Sequence, residues 1–284
     1  MATFTNQATL SYNNITLSSN IVRGETVEEL SADKTAVVPT YTAEDTLTYV
    51  ISLVNEGDSP LTNLTITDDL GGYEFDGDTL YPLTYVEGSI RYFLDGVLQS
   101  APEVDAGAPL VIEGIRVNAE SSTMIIYQAR VNEFAPLEDE GFILNTATIS
   151  GCGMCDDVVV TETVTAVQGP VLSLLKEVTP CRVVCDGQLT YTLTVQNSGN
   201  ESADAEDDLV IRDTFSPVLS DLAVTFNGTP WVEGTHYTYD SATGEFATVA
   251  GQVTVPAATF SRDPQTGVIT TIPGSSVLAI TGTI

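Results

Sequence analysis

Over most of the chain apolar and polar residues alternate with a period of two, the signature of strands with one buried face. Leu64, Ile66 and Leu70 fall on one parity with Asp68; Ile143, Ala147 and Ile149 fall on one parity with Asn145. Thr, Val, Ile and Tyr fill these runs, and no stretch keeps a period of 3.6. Turns rich in Gly, Asn and Asp break the runs at short intervals. The pattern predicts an all-β chain.

Laid side by side, two long segments repeat. The first contains Leu30-Ser-Ala-Asp-Lys-Thr, then Thr46-Leu-Thr-Tyr through Asn55-Glu-Gly, then Leu64-Thr-Ile-Thr-Asp-Asp-Leu. The second contains Leu172-Ser-Leu-Leu-Lys-Glu, then Gln188-Leu-Thr-Tyr through Asn197-Ser-Gly, then Leu209-Val-Ile-Arg-Asp-Thr-Phe. The lysines and the Leu-Thr-Tyr segments are each 142 residues apart (176 − 34 and 189 − 47). The aspartates are 145 apart (213 − 68), because the acidic loop Glu201–Asp208 is longer. Further on, Ser121-Ser-Thr-Met-Ile-Ile-Tyr parallels Ser275-Ser-Val-Leu-Ala-Ile-Thr. Two tandem β-sandwiches of immunoglobulin-like type are expected, over 30–167 and 168–284.

A third repeat is displaced. Phe4-Thr-Asn-Gln-Ala-Thr-Leu-Ser matches Ile143-Leu-Asn-Thr-Ala-Thr-Ile-Ser at a constant 139 residues (145 − 6 and 147 − 8). Each copy is followed by a second β-rich run, Ile15–Val22 or Val158–Val167, so each reads as a hairpin that closes a sandwich. The second sandwich ends without one, while the hairpin at 1–22 has no sandwich in front of it. A link of about seven residues, 23–29, cannot comfortably cross the first sandwich at roughly 3.3 Å each. The expectation is therefore that Phe4, Asn6, Ala8, Leu10, Ile15, Leu17 and Ile21 complete the second sandwich of a neighbouring molecule. That is donor-strand exchange, and a head-to-tail contact of this kind propagates as a homopolymeric fibre. A frayed or truncated end is the plainer alternative.

Composition narrows the partners. Nine basic residues against 39 acidic ones give a formal charge of −30. Nucleic acid and anionic membranes are not expected partners, and subunits repel one another. No apolar run reaches membrane-spanning length, and the N-terminus lacks the basic and apolar regions of a standard signal peptide.

The chain has only two lysines, Lys34 and Lys176, at equivalent positions. Strand parity turns each toward an apolar interior, together with Asp68 or Asp213 and with Asn145 or Asn6. One reading is a buried ion pair with an amide filling the remaining hydrogen bonds. The other is a spontaneous isopeptide bond. Burial favours a neutral amine and a protonated carboxyl, so the amine could displace ammonia from the asparagine amide with the acid as proton shuttle.

The pattern Leu-x-x-x-Lys, Leu-Thr-Tyr-x-x-x-x-x-Asn, Ile-x-Asp-x-Leu and Asn-x-Ala-Thr-Ile resembles the repeat of a tandem immunoglobulin-like domain family of unassigned function. That family is found in bacterial, mainly Gram-positive, surface and spore-associated proteins, and related pilin and adhesin domains form Lys–Asn isopeptide bonds beside an acidic residue. The resemblance covers nearly the whole chain. It implies the trios Lys34, Asp68, Asn145 and, between subunits, Lys176, Asp213, Asn6.

Cys152 and Cys155 lie in the tip of the first closing hairpin, and Cys181 and Cys185 in the turn after the second lysine-bearing segment. In an end-to-end array these turns meet, which favours two inter-subunit disulfides. Local bridges or a four-thiolate zinc site are the alternatives. The acidic runs lack the ligand spacing of a calcium loop, His236 stands without a catalytic motif, and no phosphate loop or nucleophile elbow appears. No enzyme activity, cofactor or metal is expected. The expected function is a structural subunit of an extracellular fibre, pilus-like or a spore appendage, on the cell or spore surface, with an unknown anchor. The alternative is a monomeric surface adhesion or binding module.

Overall fold

The computed structural model describes residues 3–25, 30–151, 154 and 156–284. These are β throughout apart from one short 3-10 turn, Ala205–Asp207. Two separate hydrophobic cores form, one drawn from Leu30–Ala166 and one from Leu189–Ile280.

The first core lies between two six-stranded sheets. One runs Val97–Leu98, Arg91–Leu94, Ser121–Val131, Thr46–Asn55, Leu30–Ala36, with Leu83–Tyr85 also on Ser121–Val131. The other runs Glu103–Asp105, Leu110–Val117, Leu61–Asp68, Phe142–Ser150, Val158–Ala166, Thr40–Tyr41. Four strands matter below: the lysine strand (Leu30–Ala36), the tyrosine strand (Thr46–Asn55), the aspartate strand (Leu61–Asp68) and the asparagine strand (Phe142–Ser150). Their burial alternates as the sequence predicts. Leu47, Tyr49, Ile51 and Leu53 are buried on the tyrosine strand, and Ile143, Asn145, Ala147 and Ile149 on the asparagine strand. A one-residue slip would turn each set to solvent, so burial fixes the register.

The second core has a complete first sheet: Leu172–Thr179, Gln188–Asn197, Gly274–Thr283, Ser220–Phe226, Thr229–Pro230. Its facing layer is reduced to Arg212–Thr214, Glu245–Thr248 and Tyr237–Tyr239. In the first sandwich the aspartate strand is flanked on both sides, by Leu110–Val117 and by the asparagine strand. Its counterpart Arg212–Thr214 pairs on one side only, with Glu245–Thr248. The lysine strand of this copy, Leu172–Thr179, is exposed along its whole length.

The ladder corrects one sequence alignment. Ser121 lies opposite Asn55, and Gly274 opposite Asn197. The buried parity agrees: Thr123, Ile125 and Tyr127 match Ser276, Leu278 and Ile280. Pairing Ser121 with Ser275 is thus one residue out, since a shared Ser-Ser dipeptide weighs less than which side chains must face the core. The position of Tyr127 is held by Ile280, not Thr281.

Residues 3–25 form one exposed hairpin, Thr9–Tyr12 against Ile15–Ser18 and Thr3–Asn6 against Val22–Glu25. Asn13 and Asn14 make its tip, both at positive φ (45° and 62°), the geometry of a two-residue turn matched to strand twist. Strand pairing continues to Glu25, so 23–25, read from sequence as link, belong to the hairpin. Among the described residues its backbone pairs only with itself.

A second hairpin, Thr259–Arg262 with Ile269–Ile272, reaches back to the first sandwich. Ile269 N donates to Glu133 O at 2.8 Å, and Arg262 Nη1 donates to the Tyr73 hydroxyl at 3.1 Å. The Arg262 guanidinium also lies over the Tyr73 and Phe75 rings, 5.4 and 5.6 Å from their centroids. Gly267, at φ +72°, packs so closely that a Cβ there would stand 2.2 Å from Leu80 Cδ1. Asn200 completes the junction, donating to Leu137 O and Gln168 Oε1 and accepting from Gly169 N.

Candidate functional site

In the first sandwich the lysine, aspartate and asparagine strands bring Lys34, Asp68 and Asn145 into one buried pocket. Lys34 Nζ is 2.7 Å from Asp68 Oδ2, with both side chains fully inaccessible. Asp68 Oδ1 accepts from Leu70 N at 3.0 Å, which fixes the carboxylate plane. The Tyr127 hydroxyl donates to Asp68 Oδ2 and accepts from Asn145 Nδ2 at 3.2 Å. Tyr127 stacks on Tyr49 at 5.5 Å and 21°, and Lys34 Nζ stands 5.3 Å from the centre of the Tyr49 ring.

Burial pulls the Lys34 ammonium below the usual lysine range, although Asp68 opposes the shift. Burial likewise pushes the Tyr127 and Tyr49 hydroxyls above the ordinary phenol range, and the Asp68 charge adds to both shifts. Two buried polar atoms lack a partner among the described residues: Asn145 Oδ1 and the Tyr49 hydroxyl. The Asn145 side chain comes near that hydroxyl without hydrogen-bonding geometry. An unsatisfied buried carbonyl costs roughly 1–3 kcal/mol, which is poor design for a purely structural amide. An amine poised to become neutral, an acid in contact with it and an amide with a free carbonyl are the components of amide exchange.

The second sandwich holds half of this arrangement. Lys176 Nζ contacts Asp213 Oδ2 at 2.5 Å and lies 4.7 Å over the Tyr191 ring, as Lys34 lies over Tyr49. Yet the Lys176 side chain is 41% exposed and Asp213 14%, against 0% for both in the first copy. Asn6 of the same chain is not there; it sits opposite Val22 in the N-terminal hairpin. On that hairpin Phe4, Leu10, Ile15, Leu17 and Ile21 are exposed, as are Asn6 and Ala8. Leu172, Leu174 and Val178 beside Lys176 are exposed too.

Cys181 and Cys185 are exposed, with no bond between them in this structure. Cys152 and Cys155 lie outside the described residues. His236 is a packing residue, stacked on Trp231 at 5.4 Å and accepting Val232 N at 3.0 Å. Three tyrosines at two positions were not marked out by the sequence. Tyr49 and Tyr191 stood in the repeated Leu-Thr-Tyr, where tyrosine passes for an ordinary strand residue. Tyr127 had no repeat to mark it. Asn55 and Asn197, in the repeated Asn-x-Gly, serve as buried corner locks: Asn55 Nδ2 donates to Ser59 O and Asn118 O, and Asn197 Nδ2 to Glu201 O and Pro256 O.

No protein-family model matches the chain, and no curated protein sequence matches it. Among solved structures it is similar to the major pilin subunit of Bacillus cereus, at 12% identity and TM-score 0.36, over 96% of this chain and 73% of that one. It is also similar to the collagen-binding domain of a Staphylococcus aureus adhesin, at 12% identity and TM-score 0.29, over 50% of this chain and 98% of that domain. A family 123 glycoside hydrolase from Clostridium perfringens shares 10% identity at TM-score 0.32 over 49% of this chain, which spans 27% of the hydrolase. Likenesses at such scores assign no role to this chain, and the chemistry rests on its own residues.

Proposed function

We propose that the chain is the structural subunit of an extracellular fibre, in which the N-terminal hairpin of one copy completes the second sandwich of the next. One observation carries this reading. The face of the second sandwich that holds Lys176 and Asp213 is open, whereas the same face of the first sandwich is closed by Phe142–Ser150 and Val158–Ala166. In the exposed hairpin at 3–25, Phe4–Ser11 repeats the pattern of Ile143–Ser150 in that closing pair, and a second strand follows each. Copying the first sandwich's register, in which Ala147 lies opposite Asp68 and Ile149 opposite Ile66, puts Ala8 opposite Asp213 and Leu10 opposite Ile211. Each large apolar side chain so buried contributes about 1.5–3 kcal/mol.

Within a subunit Lys34 and Asn145 form an isopeptide bond with Asp68 as the acid; between subunits Lys176 and Asn6 are the corresponding pair beside Asp213. Cys152, Cys155, Cys181 and Cys185 are the disulfide candidates across the junction. The fibre stands on a cell or spore surface, binds itself and works as a structural protein rather than an enzyme.

The test is a denaturing gel with intact-mass measurement after boiling in reductant, beside electron microscopy of unboiled material. Fibres in the micrographs, absent once residues 1–22 are deleted, support strand donation. Fibres that persist without residues 1–22 overturn it. Monomers lighter by one ammonia place the bond within the subunit, a surviving ladder places a second between subunits, and unaltered mass removes the isopeptide chemistry.

A further inference from the structure

We propose that Tyr127 is a catalytic residue of the Lys34–Asn145 reaction, relaying the proton of Asp68 to the nitrogen that departs as ammonia. The inference rests on the isopeptide reading above and adds to it the route of the proton.

Three contacts define the route. Lys34 Nζ meets Asp68 Oδ2 at 2.7 Å, the Tyr127 hydroxyl donates to that same oxygen, and Asn145 Nδ2 lies 3.2 Å from the Tyr127 oxygen. The phenol has one proton and gives it to Asp68, so toward Asn145 it can only accept. The amide must therefore turn its nitrogen, the leaving atom, to Tyr127. Among the described residues no hydrogen bond runs from Asp68 to Asn145; the hydroxyl bridges them. Stacking on Tyr49 holds the ring in place.

One proton crosses from Lys34 to Asp68, leaving a neutral amine and a neutral acid. Nζ attacks Cγ of Asn145 and forms the new C–N bond. As the Cγ–Nδ2 bond breaks, Nδ2 takes the Tyr127 proton and leaves as ammonia. Tyr127 is refilled from Asp68, and Asp68 takes the proton shed by Nζ. Lysine ammonium, carboxylate and primary amide become secondary amide, ammonia and carboxylic acid, with no outside reactant. Amides expel nitrogen poorly unless it is protonated, so the relay serves the difficult half of the exchange. Burial disfavours a free tyrosinate, so the phenol gives up its proton to Nδ2 as Asp68 returns one to it.

The second sandwich lacks the relay. Ile280 occupies the Tyr127 position, while the Tyr49 counterpart, Tyr191, is kept. The Lys176–Asn6 bond should accordingly mature more slowly than the bond within the subunit, which leaves the junction time to find its register before it is fixed.

The full chain with Tyr127→Phe tests this by intact mass over time after purification, with circular dichroism and a thermal melt to verify folding. The expected result is a wild type lighter by one ammonia and a folded variant at full mass, maturing on the order of 100-fold more slowly. A folded variant that matures at the wild-type rate overturns the relay. A wild type of unaltered mass instead overturns the isopeptide reading beneath it. Should Tyr127→Phe fail to fold, 3-fluorotyrosine at 127 replaces it. That residue is nearly isosteric with a more acidic hydroxyl, so a changed maturation rate supports the relay and an unchanged one overturns it.

Discussion

An ammonium shut away from water is tolerable only with a partner, and Lys34 has Asp68 at 2.7 Å. Asp68→Ala would leave the lysine unpaired in an apolar pocket, at a cost of about 3–5 kcal/mol. It should lower the thermal midpoint and, if the proposed isopeptide bond forms, abolish the loss of ammonia that intact mass would read. Tyr41 offers a test of burial by pH. Burial, with Glu138 adding to it, raises its hydroxyl above the ordinary phenol range, and it donates to Pro136 O. A raised folded value means the folded protein holds the proton longer than the unfolded chain. The contribution of Tyr41 is thus full below about pH 10, the ordinary phenol value, and is lost as pH rises beyond it. Tyr41→Phe should lower stability by roughly 1 kcal/mol at neutral pH yet flatten the alkaline fall, as read from thermal melts between neutral and strongly alkaline pH. At this scale strand parity alone placed Lys34, Asp68 and Asn145 inside, because a period of two gives each residue only two choices of face. Tyr127 was not legible, since its role depends on which atoms two other strands bring beside its hydroxyl.

At the scale of elements, two hairpins have different duties, one in the proposed assembly and one within the chain. In the proposed donor register Leu10 takes the place that Ile149 holds in the first sandwich, facing the core. Leu10→Asp would bury an unpaired charge there, so fibres should disappear from electron micrographs while the melt of the first sandwich stays unchanged. The hairpin Thr259–Arg262 with Ile269–Ile272 is a different device, binding the two sandwiches of one chain. Arg262→Ala removes the hydrogen bond to Tyr73 and the contact with two aromatic rings. It should leave each sandwich folded and broaden the distribution of distances between them, measured by small-angle X-ray scattering. The closing hairpin could be recognised twice in the sequence because both copies retain Asn-x-Ala-Thr. The docking hairpin could not, since it has no counterpart in the first copy and its partners Tyr73, Phe75 and Leu80 are distant in sequence.

At the scale of the whole molecule, a charge of −30 sets the conditions for assembly. In the proposed fibre, subunits that meet end to end repel at low ionic strength, where the Debye length is roughly 30 Å at 0.01 M. Polymerisation, followed by light scattering, should therefore speed up as sodium chloride is raised, and slow again only if ion pairs dominate the junction. The sequence by itself determined that the chain is all β, that two long segments and one strand of a hairpin repeat along it, and that Lys34, Asp68 and Asn145 share the inward parity of the first copy. Periodicity and repetition are local properties, readable wherever burial demands alternation. Only the tertiary structure decided that the first trio is sealed while the second pair lies open, that Ile280 stands in the place of Tyr127, and that a hairpin fastens the two sandwiches. Those outcomes depend on which distant strands pair and on what covers them, and no single strand carries that information.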